Sequence, residues 1–243
     1  MLENSHDRVE TRVDPQASGA LIYDASVCRA EEAGAWFGDA SSEHVAGGRG
    51  GVRFVATPAG RAVLRHYRRG GLVARVLGDR FLWLGARRTR PLREFAVLAH
   101  AHALGLRVPR PVAARYVRQG AFYTADLATR AIEPARTLAS LVAHGEVGGF
   151  DWRALGRTIR AFHDAGVWHA DLNAHNVLLD EAGTLWLLDF DRGWLGAPRD
   201  RWRRANLARL ERSLRKLGIA RACADPERDT FAPLRAGYAK VGR

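Results

Sequence analysis

Lysine is nearly missing from this 243-residue sequence: of 38 basic side chains only Lys216 and Lys240 are lysines, leaving 36 arginines. Any cation that does chemistry before residue 216 is therefore an arginine. Cysteine is as sparse. Cys28 and Cys223 stand far apart, outside any C-x-x-C or Cys/His cluster. That argues against a zinc site or a disulfide and for two idle thiols in a reducing compartment. No uncharged apolar run approaches the roughly 18 residues that span a bilayer. The opening stretch, MLENSHDRVETRVDPQ, is polar and lacks a secretory-signal pattern. The expectation is a soluble or peripheral intracellular protein.

What is present is ordinary in bulk and unusual in charge. Hydrophobic residues make up 47% and charged residues 26%, proportions of a globular chain, not a disordered one. The length allows one large domain or two modest lobes. The net charge of +12 has two open accounts. One is a genomic bias toward arginine codons; the other is an anionic partner such as nucleic acid, a phosphorylated substrate or an acidic membrane surface.

Residues 1–40 read as a polar lead with short apolar pieces. Val52, Phe54 and Val55, then Ala62 to Tyr67 beyond the Thr57-Pro58-Ala59-Gly60 turn, predict a β-hairpin. Pro91 opens a helix with Leu92, Phe95, Leu98, Ala99 and His102 at spacings of three and four, closed by Gly105. Val112–Val117 and Ala121–Leu127 predict a second hairpin. From Thr137 the pattern turns helical. Asp151 caps a helix burying Trp152, Leu155, Ile159 and Phe162 and ending at Gly166. Val177–Leu179 and Leu185–Leu188 flank a turn, and from Arg199 Trp202, Leu207, Leu210, Leu214 and Leu217 mark a last helix. The reading is α+β and bilobal: a sheet-rich lobe at 41–130 with one helix, then a mainly helical lobe at 131–243.

Chemistry concentrates in His169-Ala170-Asp171-Leu172-Asn173-Ala174-His175-Asn176 and the downstream Asp189-Phe190-Asp191. The first string matches the kinase catalytic loop H-R-D-L-x-x-x-N at every fixed position but the arginine, and Asp189-Phe190 matches the start of D-F-G. Phosphoryl transfer asks for a carboxylate to orient and deprotonate the attacking hydroxyl, and for oxygen ligands to a nucleotide-bound metal. Asp171 takes the first role. Asn176 and Asp189 take the second, with Mg²⁺ on ATP, since magnesium is held by one or two carboxylates plus phosphates.

Upstream, Gly47, Gly48, Gly50 and Gly51 could let backbone amides approach phosphate, or form a plain turn. Arg65 stands where kinases place the phosphate-binding lysine, with Glu94 as its ion-pair partner or as a solvated first-turn acid. His169 reads as a cleft ligand or as a brace for the loop backbone, the brace favoured, and His163 as packing. His175 stays open between substrate contact and orienting the loop, and Asp191 between assisting metal or substrate and local hydrogen bonding.

Ala170 removes the arginine that meets an activation-loop phosphate, no Ala-Pro-Glu follows Asp189, and only 54 residues remain after it. A small or lipid-borne hydroxyl suits that better than a protein substrate. The chain resembles the 3-deoxy-D-manno-octulosonic acid (Kdo) kinase family. The resemblance rests on Val63 to Leu72, Arg93-Glu94-Phe95, Val108-Pro109-Arg110-Pro111, Asp171 to Asn176 and Asp189-Phe190-Asp191-Arg192-Gly193. It implies ATP-dependent phosphorylation of the 4-hydroxyl of a Kdo sugar on a lipid A precursor, at the cytoplasmic face of the inner membrane, with Asp171 in the active site. It also fits an arginine at position 65. Arg68 and Arg69, with Arg75, Arg80, Arg87, Arg88, Arg90, Phe81 and Trp83, are then candidates for an acceptor-binding and membrane-facing surface, or are a solvated basic loop. The alternatives are a related kinase acting on core heptose or an aminoglycoside, and a non-catalytic nucleic-acid binder. No nucleic-acid motif supports the last.

Overall fold

The computed structural model describes residues 8–38, 43–45, 52–58, 60–69 and 78–239. The chain divides into two compact units. The first runs to Ala103 and resumes at Pro109–Ala131; the second is Leu104–Val108 with the chain from Ile132 onward.

Among the described residues the first unit is an antiparallel sheet with two α-helices. Its elements are β1 (Thr11–Gln16), β2 (Gly19–Asp24), α1 (Ala30–Trp36), β3 (Glu43–Val45), β4 (Val52–Thr57), β5 (Gly60–His66), β6 (Phe81–Leu82), α2 (Arg90–Ala103), β7 (Pro111–Gln119) and β8 (Phe122–Arg130). Among the described residues the strands run in the order β1-β2-β7-β8-β5-β4-β3, with β6 added to β8. Both expected hairpins form, β4 with β5 and β7 with β8. The Pro91 helix is present as α2, burying Phe95, Val97, Leu98 and Ala101.

Of the lead expected at 1–40, the described residues 8–38 are not separate from the sheet. β2 pairs with β7 over Gly19–Tyr23, and Ala33, Trp36 and Phe37 share a core with Leu21, Val55, Ala62, Leu64, Val112, Ala113 and Ala128. The reason the sequence hid this is physical. Ala20, Leu21 and Ile22 are all buried, so an interior strand shows no alternation, whereas edge strand β1 is almost wholly exposed. A buried ion pair also anchors the segment: Arg110 donates from Nε to Asp24 Oδ2 at 2.8 Å and from Nη2 to Ser26 Oγ at 2.8 Å. Burial, with the nearby Asp24 and Glu32 carboxylates, pushes the Cys28 thiol up to about 12, the inert thiol its isolation suggests.

The second unit contains β9 (Ala135–Thr137), α3 (Leu138–Ala143), α4 (Trp152–Asp164), β10 (Val167–Trp168), β11 (Val177–Asp180), β12 (Leu185–Leu187), β13 (Trp194–Leu195), α5 (Asp200–Lys216), α6 (Ile219–Ala222) and α7 (Ala232–Ala239). Thr137 caps α3 by accepting from Ser140 N at 3.0 Å, and Asp151 caps α4 by accepting from Ala154 N at 2.8 Å. The α4 face carrying Trp152, Leu155, Ile159 and Phe162 is buried as its spacing predicts. Gly166, at φ +71°, ends the helix, and β10 starts the chain toward the His169–Asn176 loop.

Candidate active site

The loop after β10 is fixed from below by backbone-directed hydrogen bonds. His169 is buried; its Nε2 donates to Leu188 O at 2.7 Å and its Nδ1 accepts from Asp171 N at 3.1 Å. Burial holds this imidazole below its usual range, in the neutral form those two bonds require. His169 thus braces the loop, as its sequence position suggests. Asp171 O in turn accepts from Asn173 Nδ2 at 2.9 Å and from Asn176 Nδ2 at 3.0 Å. The Asp171 carboxylate stands 62% exposed at the top of this frame.

The β11–β12 hairpin brings the other acid back. Leu188 N donates to Asn176 O at 2.9 Å, which sets Asn176 beside the strand end that leads to Asp189. Asp189 is exposed and adopts φ +60°, a left-handed conformation that Asp tolerates and that recurs at functional sites. Phe190 is buried against Phe162 and His169 with ring centroids 5.7 and 4.7 Å apart, so it anchors the turn. Asp191 N approaches Asp189 Oδ1 at 3.4 Å. His175 is exposed, its N–H donating to Asn173 Oδ1 at 2.9 Å.

Helix α5 holds the loop with a polar stripe that the sequence reading missed. Asn206, Arg209 and Ser213 lie at i, i+3 and i+7 and so share one face. Asn206 Nδ2 donates to His169 O at 3.0 Å, Arg209 Nη1 to Asp171 Oδ1 at 2.8 Å, and Ala174 N to Ser213 Oγ at 3.2 Å. Three polar positions at helical spacing amid Trp202, Leu210 and Leu214 were the available signal.

His163 extends the network. It is buried, with Nδ1 2.8 Å from Tyr238 Oη and Nε2 3.3 Å from Asn206 Oδ1. A continuous chain therefore links Tyr238 of α7 through His163, Asn206 and His169 to the catalytic loop. Burial pushes the His163 pKa down to about 4, aided by Arg203 and Arg160 and opposed by the Asn206 hydrogen bond and Asp164. The unfolded chain takes up this proton near pH 6.5 and the folded chain only near 4, so the contribution is intact above pH 6.5 and lost across that window. The loss amounts to about 3 kcal/mol. Urea titrations of wild type and His163→Gln at pH 7 and pH 4 check it. The stability advantage of the histidine at pH 7 should shrink by about that amount at pH 4; an unchanged difference refutes the assignment.

In the first unit, Arg65 and Glu94 meet. The Arg65 guanidinium contacts Glu94 Oε2, and Tyr67 Oη donates to the same oxygen at 2.5 Å while its ring lies 4.8 Å beneath the guanidinium. Glu94 is buried and Arg65 about one-third exposed, so the acid positions a cation whose far edge reaches solvent. Next along β5, His66 bridges Asp126 Oδ1 at 2.6 Å and Asp79 Oδ2 at 2.7 Å. The hydrogen bond to Asp126 raises its pKa, with Asp79 adding and burial opposing. This triad joins residues far apart in sequence and was not foreseen.

Arg68 is exposed, while Arg69 donates from Nε to Arg80 O at 2.5 Å and covers the Phe81 ring at 4.9 Å. Phe81 is buried, with Arg90 4.6 Å from its ring centroid; it is a core residue and not the interfacial aromatic expected from sequence. Alternation along β6 instead leaves Leu82 exposed, and Leu84, just beyond the strand, is exposed too. Gly47, Gly48, Gly50, Gly51 and Arg75 lie outside the described residues.

Among the described residues no three His, Cys, Asp or Glu side chains cluster as a metal site. Asn176 and Asp189 offer a different donor set. Because Asn176 Nδ2 is directed to Asp171 O, its Oδ1 is left to accept, so Asn176 and Asp189 both offer oxygen donors. That pair fits a hard divalent cation whose remaining ligands are phosphates and water.

Comparison with known proteins decides the family. The model described as "Lipopolysaccharide kinase (Kdo/WaaP) family" matches residues 34–236. The chain belongs to the lipopolysaccharide kinase (Kdo/WaaP) family. It is 47% identical over 217 residues to a 3-deoxy-D-manno-octulosonic acid kinase of Xanthomonas campestris pv. campestris (strain B100), covering 87% of this chain and 86% of that protein. It is 45% identical over 224 residues to the kinase of that name from Xylella fastidiosa (strain 9a5c), covering 90% and 89%. A solved structure titled "WaaP in complex with acyl carrier protein" shares the fold with a TM-score of 0.54 at 18% identity, covering 82% of this chain and 78% of that one. The resemblance read from the Asp-Leu-Asn-Ala-His-Asn string thus holds, and so does the kinase-like α+β fold. As a member of this Kdo/WaaP family the chain is an ATP-dependent kinase.

Proposed function

We propose that this Kdo/WaaP kinase transfers the γ-phosphoryl group of ATP to the 4-hydroxyl of a Kdo residue on a Kdo-lipid A precursor. The observation that carries the reading is Asp171: an exposed carboxylate on a braced loop, in a chain close to half identical to Kdo kinases. Asp171 orients the acceptor hydroxyl and takes its proton as the new O–P bond forms and the bond between the β- and γ-phosphates breaks, releasing ADP. Asn176 and Asp189 would hold Mg²⁺, which when bound neutralises charge on the β- and γ-phosphates. Arg65, held by Glu94 and Tyr67, supplies a planar cation for phosphate oxygens. His175, Asp191 and Arg68 are assigned to the acceptor side.

Phosphorylation places the enzyme at a lipid-borne acceptor. Among the described residues no helix is long and apolar enough to cross a membrane. We assign contact with the anionic cytoplasmic face of the inner membrane to exposed Leu82 and Leu84 with Arg80, Arg87 and Arg88, an apolar and basic pairing suited to headgroups.

One experiment tests both parts. The protein is incubated with labelled ATP, Mg²⁺ and, in parallel, Kdo-lipid A, heptosylated core and kanamycin. Label should enter the Kdo-lipid A and be located at O4 by NMR; faster labelling of either other acceptor overturns the assignment. With vesicles containing anionic lipid, Arg87→Glu/Arg88→Glu should abolish co-sedimentation, and unchanged partitioning removes the membrane surface.

A further inference from the structure

We propose that Arg209 recognises the carboxylate of the acceptor sugar, beside the hydroxyl that Asp171 engages; the inference rests on the acceptor assignment above. Its Nη1 lies 2.8 Å from Asp171 Oδ1, while Asn173 Nδ2 takes Oδ2 at 3.2 Å. Among the described residues Asp171 is the one polar partner of Arg209, whose side chain is 47% exposed. A guanidinium has five N–H donors in a planar fork, and among the described residues one of them is engaged, by the Asp171 carboxylate, so the rest of the fork is available to a ligand beside it.

A structural role does not account for it. An ion pair this exposed stabilises a fold by roughly 0–1 kcal/mol, and Asn206, Ser213 and His169 already hold the loop. An attacking hydroxyl must come within hydrogen-bond reach of Asp171, and its neighbours on the sugar then meet Arg209. An octulosonic acid carries its carboxylate on C2, in a 1,3 relation to the 4-hydroxyl on the same ring. A guanidinium one hydrogen bond from Asp171 is thus placed to take that carboxylate bidentately, a geometry an ammonium group does not reproduce. The anion could instead be the γ-phosphate, and the kinetics separate the two.

The test compares wild type, Arg209→Gln and Arg209→Lys on Kdo-lipid A and on its Kdo methyl ester, with ATP and acceptor varied separately. Arg209→Gln should raise the acceptor KM about ten- to hundredfold and leave the ATP KM unchanged; Arg209→Lys should recover part of that. Esterification should cost wild type a similar factor and cost Arg209→Gln less than about twofold, because the charge it removes no longer has a partner. An ester penalty equal in variant and wild type overturns the inference. So does a rise in ATP KM, or a fall in kcat at unchanged acceptor KM. Failure of wild type on the unmodified acceptor overturns the function reading and this inference with it.

Discussion

Asp171→Asn is expected to lower kcat by about 10²–10⁴-fold, the range for removing a positioned general base, with the ATP KM little changed. The amide keeps the size of the carboxylate but accepts no proton from the sugar hydroxyl. The substitution largely spares the frame: Asp171 holds the loop mainly through its backbone, N–H to His169 Nδ1 and carbonyl from Asn173 and Asn176, and the Asn side-chain oxygen can still accept the bond from Asn173 Nδ2. The ion pair with Arg209 is lost, but both partners are about half exposed or more, so stability should fall by at most about 1 kcal/mol. Single-turnover transfer of labelled phosphate, with a thermal melt of the same preparation, makes the measurement. A kcat within fivefold of wild type, from a variant that melts as wild type does, would falsify the role given to this carboxylate.

The parts of this site that were readable are those whose geometry is set over a few residues. Asp171, Asn176 and Asp189 keep fixed spacings because a loop, a strand and a tight hairpin leave the chain little choice, and the β4–β5 hairpin and α2 were legible for the same reason. Contacts closing over long sequence distances were not. Arg209 is one arginine among many on α5, and nothing local says which of them meets Asp171. His66 meets Asp126 through strand pairing and Asp79 through the turn before β6, and neither contact has a local signal. Phe81 looked interfacial because it stands among arginines; two of those arginines cover its ring and bury it. The polar stretch at 8–16 disguised an edge strand, whose exposed residues carry no hydrophobic signal.

Gly237→Ala is expected to destabilise the second unit by about 3 kcal/mol, at the upper end for overpacking a close contact. A Cβ at Gly237 would stand 2.1 Å from Arg153 O, and one at Gly156 would stand 2.2 Å from Leu234 O and 2.6 Å from Tyr238 N. Each glycine therefore meets the backbone of the opposite helix, and relief requires α4 and α7 to move apart. Ala is the better helix former by about 1 kcal/mol, so the same substitution where space is open should have the opposite sign. Gly34 in α1, with nothing within 4 Å of its would-be Cβ, provides that control, and Gly34→Ala should be neutral or slightly stabilising. Thermal melts should show Gly237→Ala lowered by about 6–12 °C; a melt at or above wild type would sink the packing argument. The loss should reach activity as well. Tyr238 lies one residue from Gly237 and starts the hydrogen-bond chain through His163 and Asn206 to His169, so separating the helices loosens the loop that presents Asp171. In Gly237→Ala, turnover should therefore begin to fall below the temperature at which the unit melts, while in Gly34→Ala the two should stay together.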